Sequence, residues 1–172
     1  MLVAFALTAP SAASSLATRG AERAKQARIE RRLGEKLLVR INRMRTRHGA
    51  RVLHLERSLS RAAEAHVRDM GRHGYFGHAT SKGVSLRDRV AYYYHSKGYS
   101  SWTVGEDLLW SAAKLTSAKV IRVWMRSSPH RANLLALEWR QIGISAHRFS
   151  RAPGFFGNRR VWLVAVDFGS RR

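Results

Sequence analysis

Cysteine is absent from this chain of 172 residues, which excludes disulfide staples and thiolate metal sites and leaves packing, imidazoles and carboxylates as the means of holding a site together. Acidic residues are scarce. Eleven Asp and Glu face 32 Lys and Arg, a formal charge of +21, so the surface must present basic areas that attract polyanions. Long apolar runs are missing too: LVAFAL near the N-terminus is far shorter than the ~20 residues a membrane-spanning helix needs, and no transmembrane anchor is expected. What is present is a hydrophobic fraction of 45% with five Trp and five Tyr, enough for one packed core in a chain of one-domain length.

The first 17 residues, MLVAFALTAPSAASSLA, carry no charged side chain. They read either as a secretory signal with cleavage after Ala13, where Ser11 and Ala13 satisfy the small-x-small rule, or as a disordered tail; the basic start of a usual signal is lacking. The signal reading places the mature protein outside the cell or in its envelope.

Residues 19–51 hold twelve basic and three acidic residues with no proline, and Ile29, Leu33, Leu37, Leu38 and Ile41 recur at helical spacing. A long basic amphipathic helix is predicted, stopped at His48-Gly49, with residues 18–34 an extension and the packed domain over 35–170. Leu59, Ala62, Ala63, His66 and Met70 predict a second helix over 58–73, starting at Ser58 or Arg57 and ending at Gly74. Residues 75–83 form a loop, and 85–94 a short helix capped by Ser85. Strands are expected over 102–110, 141–149 and 161–168. A helix over 117–126, with Val120, Val123 and Trp124 on one face, and a separate helical turn over 129–135 lie between the first two strands. A hairpin around 154–158 joins the last two. The order α-α-β-α-β-β predicts an α+β layered sandwich.

Three short segments bear chemistry. In SSPHRANLL, Ser128 is a good N-cap and Pro129 suits N1, which puts His130 at N2 beside unpaired backbone N–H groups that depress its pKa. A neutral imidazole there suits a metal ligand or a general base, and equally a satisfied buried hydrogen bond. His78 lies in a loop behind Tyr75 and Phe76, which can anchor in the core while the imidazole faces a cleft. Glu106 interrupts an apolar strand, where a carboxylate must meet a cation, a His or solvent; an exposed edge-strand acid is the other reading.

Taken together, GYFGHAT, VGEDL, VWMRSSPHRANLL and IGIS, preceded by LLVRINRMRTRHGARVLHLERSLSRAAEAHVRDM, resemble the CAP superfamily of cysteine-rich secretory and pathogenesis-related proteins, in its cysteine-free bacterial branch. The resemblance covers residues 37–168 in order. It implies a three-layer α-β-α sandwich with a small, mainly antiparallel sheet and a central cleft holding His78, His130 and Glu106. Two departures stand out. Where many members have a second Glu after the Trp of the fourth motif, this chain has Met125, Arg126 and Ser127 after Trp124, and the usual GEN reads Gly105-Glu106-Asp107. The acidic tetrad of eukaryotic members is therefore incomplete, with Asp107 a partial substitute and Ser127 able to offer only a hydroxyl. Asn133 matches a common family position and is expected to brace the motif.

Two His and one carboxylate can form an incomplete Zn²⁺ shell with an open position for water, and His78, His130 and Glu106 are the candidate ligands for Zn²⁺ or another divalent metal. A secreted binding module with this cleft is the first expectation, its ligand a lipid or an envelope component. A hydrolase acting on peptide or envelope material, with Glu106 or His130 as general base, is the second; no Ser, Cys or Thr nucleophile pairs with a base in the motifs. Polyanion binding through the basic helix 19–51 is the third, with envelope polymers and anionic lipid ahead of nucleic acid if the chain is secreted.

Overall fold

The computed structural model describes residues 12–172, with side chains from Leu16 onward; the apolar run of the N-terminal segment lies outside the described residues. Helix α1 (Ala12–Arg47) is long because nothing interrupts it. It ends where Gly49 adopts φ +74°, the left-handed conformation that glycine enters without a Cβ penalty. Its turns before residue 29 stay largely exposed, while Leu33, Leu37, Ile41 and Met44, one stripe at helical spacing, are buried. Complete burial of Leu37 and Ile41 stabilises by roughly 1.5–3 kcal/mol each.

After a two-residue strand β1 (His54–Leu55) comes helix α2 (Arg57–His73), which starts at Arg57 and is capped by Glu56, its carboxylate accepting from the Ser58 N–H. Gly74 closes α2 at φ +70°. Helix α3 (Leu86–Tyr93) is capped by Ser85, as its sequence predicts. Strand β2 (Trp102–Ser111), helix α4 (Ser117–Arg126), helix α5 (Ser128–Leu135), strand β3 (Gln141–Ala152) and strand β4 (Arg159–Arg171) complete the chain. A 3-10 turn, Gly154–Phe156, joins the last two strands. Val123 faces outward on α4, 44% exposed, so the buried stripe of that helix is Val120 and Trp124.

The sheet order is β1-β3-β4-β2, antiparallel except for the short parallel pairing of β1 with β3. Strand β4 is central and buried on both faces, which explains its unbroken apolar run. Its even-numbered residues Trp162, Val164, Val166 and Phe168 share one core with α1, α4 and α5. Its odd-numbered Val161, Leu163 and Ala165 pack against α2. The result is an α-β-α sandwich, and strand alternation assigns each residue to a layer. Close approach of α2 to β3 depends on Gly143, where a Cβ would stand 2.1 Å from the Leu59 carbonyl carbon.

Arg45, fully buried near the end of α1, fixes α5 in place. It donates through Nη1 to the carbonyls of Leu134 and Ala136, at 2.6 and 3.1 Å, and through Nε to that of Arg51 at 2.8 Å. Carbonyls at a helix C-terminus lack intrahelical donors, and the guanidinium supplies them.

Candidate functional site

The site forms along β2, the edge strand on the side of the sheet away from β1, where two neighbouring acids point to opposite layers. Glu106 lies across from Asp167 and Asp107 across from Val166, so strand alternation sends Glu106 toward α2 and α3 and Asp107 toward α4 and α5.

On the first side, Glu106 is the hub of a buried ionic network. Its Oε1 accepts from His78 Nδ1 at 2.7 Å and its Oε2 from Arg89 Nη2 at 2.6 Å, and its side chain is completely buried. Arg89 also reaches Asp167 Oδ2 and the Ala62 carbonyl through Nη1, at 3.2 and 3.1 Å. One guanidinium thus serves two buried carboxylates. Burial alone would lower the Arg89 pKa, but Asp167 and Glu106 outweigh it and hold the guanidinium protonated. Asp167 is pushed up by complete burial, with Glu106 adding to the rise and Arg89 opposing it. His66, also buried, donates from Nε2 to the Gly77 carbonyl at 2.8 Å. Burial lowers its pKa against the pull of Glu106, so it is a neutral brace although it sits 3.7 Å from that carboxylate.

The loop that carries His78 is pinned at both ends. Besides the bond from His66 to Gly77, Asp69 accepts from the Ser81 N–H and hydroxyl, at 2.8 and 2.7 Å, and from the Tyr75 hydroxyl. Burial tends to raise the Asp69 pKa, but these donors win and hold it at about 2. His78 is thereby presented with its side chain 57% exposed. Its bond to Glu106 raises its pKa, partly offset by burial. With Nδ1–H donated to Glu106, Nε2 is the nitrogen left for a ligand.

On the second side, α5 brings in His130 and Asn133. Its N-cap is Ser127, without a side-chain bond, so His130 occupies N3, one position later than the sequence predicts. The His130 ring lies 6.5 Å from that of Trp124, and its Nδ1 is buried without a partner. Burial and the positive charge of His78 both lower its pKa. Asn133 braces the motif as expected, donating to Asp107 Oδ1 at 3.0 Å while its carbonyl accepts from Trp139 Nε1 at 2.9 Å. Gly105 allows this contact, since a Cβ there would meet Asn133 Oδ1 at 2.9 Å. Asp107 Oδ2 is buried without a partner. Burial lifts the Asp107 carboxyl to about 7, with Asn133 and His78 opposing and Glu106 adding.

A three-ligand metal set of His78, Glu106 and His130 does not assemble: among the described residues no group of three or more His, Asp or Glu is placed to hold a metal ion, and both Glu106 oxygens are already engaged. Asp107 points to the α4 side, where the absent second Glu would stand, with Oδ1 held by Asn133 and Oδ2 without a partner. Ser127 is half-buried at the start of α5. His66, Arg89 and Asp167 do not stand out in the sequence as site residues. Asp167 nevertheless leaves a signal: a lone acid within VWLVAVDF, in a strand buried on both faces, needs a cation.

Residues 38–165 match the model of the cysteine-rich secretory protein family, CAP. The chain belongs to this family. Among its relatives, YkwD of Bacillus subtilis (strain 168) is 32% identical over 111 residues, covering 64% of this chain and 41% of YkwD. The membrane protein YlbC of the same organism is 27% identical over 108 residues, covering 62% of this chain and 29% of YlbC. The aligned region thus spans less than half the length of either relative. Two solved structures share the fold. An extracellular SCP-domain protein from Bacillus anthracis str. Ames superposes with a TM-score of 0.64 at 22% identity, over 84% of this chain and 42% of its own. An outer surface protein from Borrelia burgdorferi gives 0.61 at 20% identity, over 79% and 90%. No helix among the described residues is long and apolar enough to cross a membrane.

Proposed function

We propose that this CAP domain is a secreted binding module, its ligand a lipid or cell-envelope component held in the cleft between His78 and His130. One observation carries this reading. Of the two candidate bases, the Glu106 carboxylate is fully buried, with one oxygen on His78 and the other on Arg89. Glu106 therefore orients an imidazole instead of activating water, and a metal-assisted hydrolase is the weaker reading. The extracellular B. anthracis protein shares the fold, which supports a location outside the cell.

A divalent cation such as Zn²⁺ would be held by two imidazoles only, His78 through Nε2 and His130, with Glu106 fixing the His78 tautomer from behind. When bound, such an ion polarises a carbonyl or phosphoryl oxygen of the ligand. Calorimetry with Zn²⁺ on the wild type and the His78→Ala, His130→Ala double variant tests the cleft. Heat is expected from the wild type alone, and equal heats contradict the reading.

A second surface is supported by a separate observation. Lys25, Arg28, Arg32, Lys36, Arg40, Arg43 and Arg47 recur every three or four residues on α1, and all seven are exposed. This stripe suits anionic lipid or an envelope polymer. Retention on heparin should fall steeply with salt and weaken when Arg32 and Lys36 are replaced by Gln; unchanged retention contradicts it.

A further inference from the structure

We infer that the open edge of β2 between the two imidazoles is a docking site for an extended peptide segment bearing acidic side chains, which adds to the sheet as a fifth strand. The inference rests on the binding-cleft reading above and takes its envelope component, rather than a lipid, to be a peptide.

The backbone pattern decides which groups face outward. Just before β2, Ser101 and Arg172 exchange both main-chain hydrogen bonds, at 3.2 and 3.1 Å. In an antiparallel ladder every second residue then bonds to the partner strand, and the residues between point their N–H and C=O away from it. With Trp102 across from Arg171 and the pairing regular to Ser111, the outward residues are Trp102, Val104, Glu106, Leu108 and Trp110. The Leu108 carbonyl corroborates this, since it accepts from the Trp124 indole at 3.1 Å instead of from β4.

Leu108 is thus capped, but Val104 and Glu106 are not. Among the described residues, no hydrogen bond outside the sheet ladder involves the main chain of either. Glu106 as a whole is 6% exposed while its side chain is 0% exposed, so what it shows to solvent is backbone. Solvent at this edge therefore meets the main chain of Glu106 and not its carboxylate. His78 stands on the α2/α3 side of this edge and His130 on the α4/α5 side.

Unpaired strand edges are templates for another chain, and proteins that leave one open without function risk aggregation. A docked strand would pair with Val104 and Glu106 and send its side chains alternately toward the two imidazoles. Charge selects acidic partners. The chain carries +21, Lys82 and Arg131 are exposed on the segments that present His78 and His130, and the two acids of the edge, Glu106 and Asp107, are buried.

The test uses the full chain labelled with ¹⁵N and a blocked heptapeptide, acetyl-(Val-Glu)₃-Val-amide, in three forms: unmodified, N-methylated on one edge, and N-methylated on both. The first two are expected to move the amide resonances of Val104 and Glu106, the third to leave them in place. Val104→Pro removes an outward N–H that the native sheet does not use, and should weaken binding at least tenfold; Val104→Ala, which loses the same packing against the Leu59, Val90 and Tyr94 cluster but keeps the N–H, should bind as the wild type does. The methylation series needs no variant, so a Val104→Pro that fails to fold does not spare the proposal. It is overturned if the acidic peptide moves neither amide, if the fully N-methylated form binds as well, or if the lysine counterpart or a heparin fragment moves the same amides equally. Failure of the peptide with Zn²⁺ heats retained by the wild type and lost in the double histidine variant would remove this inference and leave the cleft reading standing.

Discussion

The two faces of one strand treat adjacent carboxylates in opposite ways. Toward α2 and α3, Glu106 is saturated, with both oxygens bonded and a guanidinium beside it. Toward α4 and α5, Asp107 keeps one oxygen unpartnered, and so does Nδ1 of nearby His130. A buried carboxylate is tolerated only with partners, so the first face is a clamp closed around one guanidinium and the second leaves polar atoms open. The same contrast separates the imidazoles: Glu106 favours the charged form of His78, and burial favours the neutral form of His130.

The largest expected effect falls on the saturated face. Arg89→Met leaves Asp167 buried without a cation and Glu106 with His78 alone, and should cost about 3–5 kcal/mol of unfolding free energy in urea; a cost below 1 kcal/mol would break the contrast. Glu106→Gln keeps the shape but removes a charge from that clamp, and about 1–3 kcal/mol is expected from the same measurement. On the other face, Asn133→Ala withdraws the donor to Asp107 and should cost about 1–2 kcal/mol while raising the Asp107 pKa further, read from its carboxyl ¹³C shift.

Asp107→Asn is the smallest change, and its sign is reversed. The folded-state pKa is raised from 3.8 to about 7, so between these values the folded state keeps a proton that the unfolded chain releases. Stability therefore falls as pH rises through that window. The Asn variant lacks this loss and should be more stable at pH 7 by on the order of 1–2 kcal/mol, with no gain below the unfolded-state value. Thermal unfolding at several pH values checks it.

Much of the layered fold is legible in the sequence because its signals are local. Helical spacing in α1, α2 and α4, Ser85 as a cap, the left-handed glycines at 49 and 74, and the apolar run of β4 each act within a few residues. Strand β1 is not legible, since two residues paired to a strand beyond position 140 carry no periodicity. His78, Glu106, His130 and Asn133 are legible as members of one site. The direction of the Glu106 carboxylate is not, because it is set by Arg89, 17 residues upstream, and Asp167, 61 residues downstream, brought together only by the sheet.

Glu106 orients His78 from behind, and NMR titration of the imidazole protons in the wild type and in Glu106→Gln tests this most directly. In the wild type His78 should titrate above the ordinary histidine value of 6.5 and His130 below it. In Glu106→Gln the His78 pKa should fall while His130 changes little. A His78 pKa that is the same in both proteins would contradict the account.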